Sequence, residues 1–301
     1  MTRPTATLGI VSETGAVPSE RPLTPRGRGR HDQVLDLEPR AAGRRAWLSE
    51  VWSYRDVLDM LARKDFQTRY KRASLGILWA VAVPLLQAAV MAFVFSHVIA
   101  VGNGRRFAVY VMSGVVAYAY LSVAVQAGST AIVDGASLTD KVWFPRALLV
   151  VVPPLSNLLG FVVTVTVVVA IMPAFGVPLG VQVLLLAPAS VLLLGFCVGL
   201  SLVLGALDVY YRDVKFLVAA LLMVWMYASP ILYPQHALGR YASWLDANPL
   251  TGVVVMFHMA TVGSGGPWVV PVTVAVATTI VLLVAGGEAQ RHHDRLFVDL
   301  L

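Results

Sequence analysis

The sequence predicts an all-α integral membrane protein with six transmembrane helices, preceded by an amphipathic helix at the membrane interface. Three observations carry that prediction. Between Gly76 and Gly287 the chain is a series of apolar blocks separated by short breaks, and no block has an acidic residue at its centre. Hydrophobic residues make up 57% of the 301 positions and charged residues only 13%, against about 25% charged in a soluble domain. The cations also gather on one side of the blocks: 14 of the 23 Lys and Arg precede Ser74.

Met1 to Ala46 has Pro at 4, 18, 22, 25 and 39, many Arg and Gly, and little to bury. The segment 1–46 is therefore expected to be a disordered, basic, Pro-rich cytoplasmic tail. It lacks the apolar stretch of a signal peptide. Its basic run Arg26–Arg30 suits either a solvated tail or contact with anionic lipid at the inner leaflet.

Residues 47–74 form the expected interfacial helix. Trp47, Val51, Tyr54, Leu58 and Leu61 recur at helical spacing, flanked by Leu48 and Trp52, while Arg55, Asp59, Arg63 and Lys64 take other positions. Such a helix suits the headgroup plane. It runs into Arg69, Tyr70, Lys71 and Arg72, a cluster that pins the inner end of the first span. Two roles stay open: a plain anchor, or one wall of an entrance.

The membrane domain, 75–287, reads as blocks Gly76–Ile99, Phe107–Val125, Ala147–Met172, Val181–Leu207, Phe216–Ile231 and Trp268–Ala285. Crossing ~30 Å of hydrocarbon takes ~20 residues at 1.5 Å each. The fifth block is the shortest and the second is marginal, which allows a tilted or broken helix in either. No alternating barrel pattern is present, so the spans are expected to be helical. With the N-terminus inside, Lys141, Arg146, Arg212, Lys215, Arg291 and Arg295 also fall on the inner side, and only Arg105, Arg106 and Arg240 fall outside. That bias puts both termini in the cytoplasm, with 288–301 as a cytoplasmic tail.

Several functions are poorly supported. From Ser74 onward the acidic residues are Asp134, Asp140, Asp208, Asp213, Asp246, Glu288, Asp294 and Asp299, all in loops or at block edges. Ion-coupled carriers keep ionisable groups within their spans. His97 reads as interfacial, and the adjacent His292 and His293 do not make a metal site. Cys197 is the single cysteine and reads as packing inside the fourth span. No Ser/His/Asp grouping, carboxylate pair or HExxH marks an enzyme, and no nucleic-acid partner is expected.

The energy source is then expected to be external, because the chain has no GxxxxGK[ST] phosphate loop. Two inner loops suit force transfer. Asp134–Arg146 reads DGASLTDKVWFPR, a short helix capped by Ser137 or Thr139 and stopped by Pro145. Asp208–Lys215 reads DVYYRDVK, a compact helix of aromatics and mixed charge. Ordinary connecting turns with snorkelling cations are the alternative.

The run Asp65–Leu86, DFQTRYKRASLGILWAVAVPLL, carries a resemblance. Arg69, Tyr70, Lys71, Leu75, Gly76, Trp79 and Pro84 fit the opening signature of ABC type-2 exporter permeases of the polysaccharide, O-antigen and teichoic-acid export family. The signature serine falls at Ser74, after Ala73. KVWFPR (141–146), DVYYRDVK (208–215), SPILYP (229–234) with ANPLTG (247–252), and RHHDRLFVDLL (291–301) are similar to later family stretches in the same order. The resemblance covers 47–301.

The resemblance implies a transport subunit and not an enzyme. Two copies of the chain would pair as a homodimer, and each would dock a separate nucleotide-binding ABC ATPase. ATP and Mg would sit on that partner, with no cofactor on this chain. Asp140, Lys141, Trp143, Phe144, Pro145 and Arg146, with Tyr210, Tyr211, Arg212 and Asp213, would couple to the ATPase. Arg69, Tyr70, Lys71, Arg72 and Trp79 would form a cytoplasmic gate. The stretch Tyr233–Pro267 would fold partly back into the membrane as a re-entrant outer segment between the fifth and sixth spans. Pro234, Asn248-Pro249 and Gly263–Gly266 punctuate two pieces there, Ala237–Leu245 and Leu250–Val262.

The implied cargo is a lipid-linked polysaccharide: an O-antigen-, capsule- or teichoic-acid-like polymer crossing the plasma membrane. Aromatic rings suit the apolar faces of sugars. Tyr118 and Tyr120 on the second span, with Trp225 and Tyr227 on the fifth, are candidate path residues, and Tyr110 and Met226 lie beside them. For each, an aromatic belt or core packing is an equal reading. Two other functions remain open: export of a drug or small lipid by the same fold, and a membrane scaffold or enzyme without an ATPase.

Overall fold

The structure, a computed structural model, describes residues 44–70, 76, 78–95, 104–139, 144–263 and 266–293. Most of the expected tail 1–46, Lys71, Arg72, His97, Asp140, Lys141, Trp143 and the end of the C-terminal motif lie outside them. The described residues are helical, with no strand among them.

Helix α1 (Arg44–Ser53) and α2 (Arg55–Tyr70) take the place of a single interfacial helix, with a break at Tyr54. The apolar stripe read from the sequence is real, but it is used against protein. Val51, Tyr54, Leu58 and Leu61 pack on Phe144, Leu148 and Leu149. Helix α3 (Leu78–Phe93) follows and carries Pro84 in its interior.

Among the described residues, four helices are long and apolar enough to cross a membrane: α4 (Arg105–Asp134), α6 (Ala147–Ile171), α7 (Leu186–Tyr210) and α11 (Val269–His293). Three apolar helices are shorter: α3, α8 (Val214–Tyr227) and α10 (Pro249–Val262). Short elements complete the chain: α5 (Ala136–Thr139), α9 (Ala242–Asp246), and 3₁₀ turns at Met172–Phe175, Val181–Leu185 and Gln235–Tyr241.

Helix α4 is the axle of the bundle, packed against α3, α6, α7, α8 and α10 and buried along most of its length. The sequence ended the second block at Val125, yet the helix runs on to Asp134. Nothing in 126–134 breaks it, and its small residues serve close packing. A Cβ added at Gly128 would collide with the Ser201 side chain of α7. At 30 residues α4 is about 45 Å long, half again what the hydrocarbon requires.

Helix α11 packs mainly on α7 and α10. Its approach to α7 depends on absent side chains: a Cβ at Gly286 would lie 2.6 Å from Leu202 Cβ, and one at Gly199 2.9 Å from Leu282 Cβ. Small residues of this kind let membrane helices meet backbone to backbone. The helix therefore continues past the expected end at Ala285 to His293, and takes in the start of the segment read as a tail.

Two further expectations change. The segment 208–215 is not a helix of its own: Asp208–Tyr210 finish α7, 211–213 turn, and Val214 opens α8. No residue before Tyr211 interrupts the helical hydrogen bonds, so α7 simply runs on. In the loop 134–146, α5 is a single turn that begins at Ala136, so Ser137 and Thr139 lie within it and do not precede it as caps.

The turn after α8 is irregular backbone, yet Ser229, Ile231 and Leu232 are buried. Unpaired buried carbonyls are costly, and here side chains satisfy them. Tyr233 Oη donates to Tyr227 O (2.8 Å), Asn248 Nδ2 to Ala228 O (3.1 Å), and Tyr110 Oη to Pro230 O (3.0 Å) and Tyr233 O (3.1 Å). Asn248 also caps α10 by accepting from Leu250 N, and it accepts from Trp225 Nε1 at 2.9 Å. Asn248 Nδ2 also donates to Ser229 Oγ at 2.9 Å, so the two stretches SPILYP and ANPLTG meet through one asparagine. Helix α10 is mostly buried between α4 and α11, far more central than its weak apolar signal suggested.

Candidate transport groove

One stripe of α4 and one of α6 stay uncovered by each other and open two clefts. The first, about 320 Å³, lies between α3, α4 and α6. Trp79, Val83 and Pro84 wall one side, Tyr118, Tyr120 and Val123 another, and Asn157, Gly160 and Phe161 the third. Gln87, Ser122 and Thr164 add polar atoms to a mainly apolar lining. Pro84 has no N–H, so the Ala80 carbonyl beside it lacks its helical donor inside the cleft.

The second cleft, about 330 Å³, lies between α2, α4 and α6. Its lining is charged: Lys64, Asp65 and Arg69 on α2, with Thr130 and Asp134 on α4. Asp65 organises it. Its Oδ2 accepts from Arg69 Nε at 3.0 Å and from Ser156 Oγ of α6, which ties α2 to the bundle. Thr130 Oγ1 donates to Asp134 Oδ2 at 2.6 Å.

The clefts share faces. Leu149, Pro153, Asn157, Gly160 and Thr164 step along α6 at helical spacing, as do Val116, Ala119, Val123, Ala127 and Ala131 along α4. Together they follow a groove about 23 Å long at 1.5 Å per residue, charged at the α2 end and apolar with amides toward the middle.

The structure gathers only part of the expected path. Trp79, Tyr118 and Tyr120 border the first cleft. The two tyrosines are themselves buried, with hydroxyls spent on backbone: Tyr118 Oη donates to Leu222 O, and Tyr120 Oη to Pro154 O at 2.8 Å. Their hydroxyls are therefore not free to meet a ligand in the groove. Trp225 lies elsewhere, bonded to Asn248 and edge-on to Phe196 at 5.9 Å. Tyr227 sits exposed at the end of α8, and Met226 is buried within reach of Gln87 Nε2 at 4.0 Å. Tyr110 stacks on His258, away from the groove.

The expected coupling residues divide by environment. Phe144, Pro145 and Arg146 are buried at the start of α6, whereas Tyr210, Tyr211, Arg212 and Asp213 are exposed. Of the expected gate, Arg69 and Trp79 line the second and first clefts and Tyr70 ends α2. The residues that sequence reasoning passed over are Gln87 and Asn157. A carboxamide inside an apolar block was the available signal, and attention to charged residues alone missed it.

Among the described residues, a bundle with four helices long and apolar enough to cross a membrane, and a groove along two of them, defines a multi-pass membrane protein. Residues 57–262 match the ABC-2 type transporter family, and the chain belongs to it. It is 28% identical over 242 residues to the O-antigen export system permease protein RfbA of Myxococcus xanthus, covering 79% of this chain and 93% of that one. An RfbA of Klebsiella pneumoniae is 28% identical over 212 residues, covering 67% and 79%.

Proposed function

We propose that this chain is the permease subunit of an ATP-driven exporter that moves a lipid-linked polysaccharide, O-antigen-like, capsule or teichoic, across the plasma membrane. The groove along α4 and α6 carries this reading: it combines aromatic rings for sugar faces with amides and hydroxyls for their hydroxyl groups. The names of the relatives support the cargo class.

In this reading two copies pair, and each receives a separate ATPase subunit that holds the ATP and Mg. Helices α3, α4, α6, α7, α8 and α11 make six spans, α9 and α10 form the re-entrant outer segment, and both termini are cytoplasmic. Residues 1–46 and 288–301 are tails, 47–74 the gate segment and 75–287 the membrane domain. The loop that ends at Arg146, to which Asp140, Lys141 and Trp143 belong by sequence, and the turn 211–213 receive the push of ATP binding. Phe144 sits in that loop and packs on α2, so a push on the loop reaches the gate segment and widens the groove.

Deletion of the gene should leave finished polymer trapped on the inner side of the membrane. The wild-type gene should release it, and a Gly160→Leu variant that fills the first cleft should not. Normal surface polymer in the deletion strain, with sensitivity only to a small toxic compound, would overturn the cargo assignment.

A further inference from the structure

Two buried charges at the inner end of the bundle have unfinished hydrogen bonding. Arg146, at the start of α6, is 8% exposed, and its Nη1 has no hydrogen-bond partner. Asp208, in the last turn of α7, is 3% exposed, and its Oδ1 has none either. No ion pair joins the two among the described residues. An unpaired buried charge is among the most costly features a fold can carry.

Asp208 is unfavourably placed in two other respects. It sits at a helix C-terminus, where the backbone dipole is negative, and the Asp134 carboxylate is close enough to repel it. Lys215 offers a backbone N–H and a nearby charge in partial compensation. Local packing does not require a carboxylate here, since the neighbouring cluster of Ile132, Ala147, Val150, Leu202 and Ala206 is wholly apolar.

The two residues stand at one level. Helices α6 and α7 run antiparallel at their inner ends, and a Cβ at Gly205 would lie 3.2 Å from Val150 Cγ2. One turn from that contact, toward the same end of the bundle, lies Arg146 on α6 and Asp208 on α7. We infer that Arg146 and Asp208 are the two halves of an ion pair that closes between the α5–α6 loop and the α7–α8 turn during the transport cycle. The inference rests on the reading that these two connections receive the push. Closing the pair joins them, so force on either one moves α6 and α7 together. Arg146 and Asp208 are positioning residues in this scheme, with no contact to cargo.

The test uses the full chain co-expressed with its ATPase subunit. Arg146→Asp and Asp208→Arg should each lower export about tenfold or more, as breaking a buried charge pair does, while the double exchange recovers most of it. A double exchange as inactive as the single variants, at equal membrane abundance and equal ATPase binding, overturns the pair. So do single variants that export normally.

A second measurement needs no export. In a Cys197→Ala background, Arg146→Cys with Asp208→Cys should be joined by a short bismaleimide in membranes, in at least one nucleotide state. The halves of the chain then stay together after cleavage at a protease site placed in 176–180. Halves that separate in every nucleotide state sink the pair whatever the cargo is. Crosslinking in a strain with unaltered polymer would instead sink the cargo assignment alone.

Discussion

Tyr110 of α4 lies face to face on His258 of α10, ring centroids 3.5 Å apart and planes 23° from parallel. The same tyrosine hydroxyl reaches Pro230 O and Tyr233 O, so one side chain fastens α4 to α10 and to the turn after α8. Tyr110→Phe keeps the stack and strands two partly buried carbonyls, which should lower stability by about 1 kcal/mol or more. Tyr110→Ala removes the ring as well and should lose about 3–5 kcal/mol. Thermal unfolding of the detergent-solubilised protein measures both, and equal melting temperatures for the two variants would contradict this account.

Asn157 and Gln87 line the first cleft from α6 and α3. Asn157→Leu and Gln87→Leu should each reduce polymer export by about tenfold, which corresponds to the ~1.4 kcal/mol of one lost hydrogen bond to a passing sugar. Membrane abundance and ATPase binding should not change. Export at the wild-type rate in both variants would remove the groove from the path.

Phe144 is buried against Leu148 and Leu149 and receives Val51, Tyr54, Leu58 and Leu61 from α1–α2. Phe144→Ala should cost about 3–5 kcal/mol of packing, concentrated at this joint. Limited proteolysis would detect it as faster cleavage within 49–70, with the α4–α11 bundle still resistant.

Tyr211 is 67% exposed in the turn between α7 and α8. Tyr211→Ala should leave melting temperature within about 0.5 kcal/mol of wild type in stability terms, yet weaken capture of the ATPase subunit in pull-down. Undiminished capture would place the coupling contact elsewhere.

Gly286→Val would drive a side chain into Leu202, where the added Cβ alone comes within 2.6 Å. Overpacking of this kind costs about 1–3 kcal/mol, and α11 should separate from α7 with a lower melting temperature and yield.

The helical class and most breaks between helices were legible because bilayer-crossing segments must be apolar and self-bonded. Other features depend on three-dimensional neighbours. The extra turns of α4 hide behind Gly128, Ser129 and Thr130, residues that look loop-like in sequence and are read as helix only once Ser201 is seen against them. The charges of DVYYRDVK suggested a separate surface helix, although Asp208 is buried in α7. The weak signal of 249–262 concealed a helix enclosed by its neighbours, because Gly252, Thr251 and His258 lower its hydropathy without being exposed. Of the groove, the aromatic borders Trp79, Tyr118 and Tyr120 were legible as ring-bearing positions. Their hydroxyl bonds to Leu222 and Pro154 were not, since carbonyl acceptors leave no mark in a sequence.

Helix α8 contains only 14 residues, with Leu217, Leu221, Met223 and Val224 on its outer side. At about 21 Å it falls roughly 9 Å short of an ordinary hydrocarbon layer. In the proposed six-span arrangement, thinning of the bilayer where acyl chains touch α8 would match the short helix, at a modest cost per ångström. Vesicles of shorter-tailed phospholipid match that dip and relax it, so acyl length becomes a control on how readily this side of the protein rearranges.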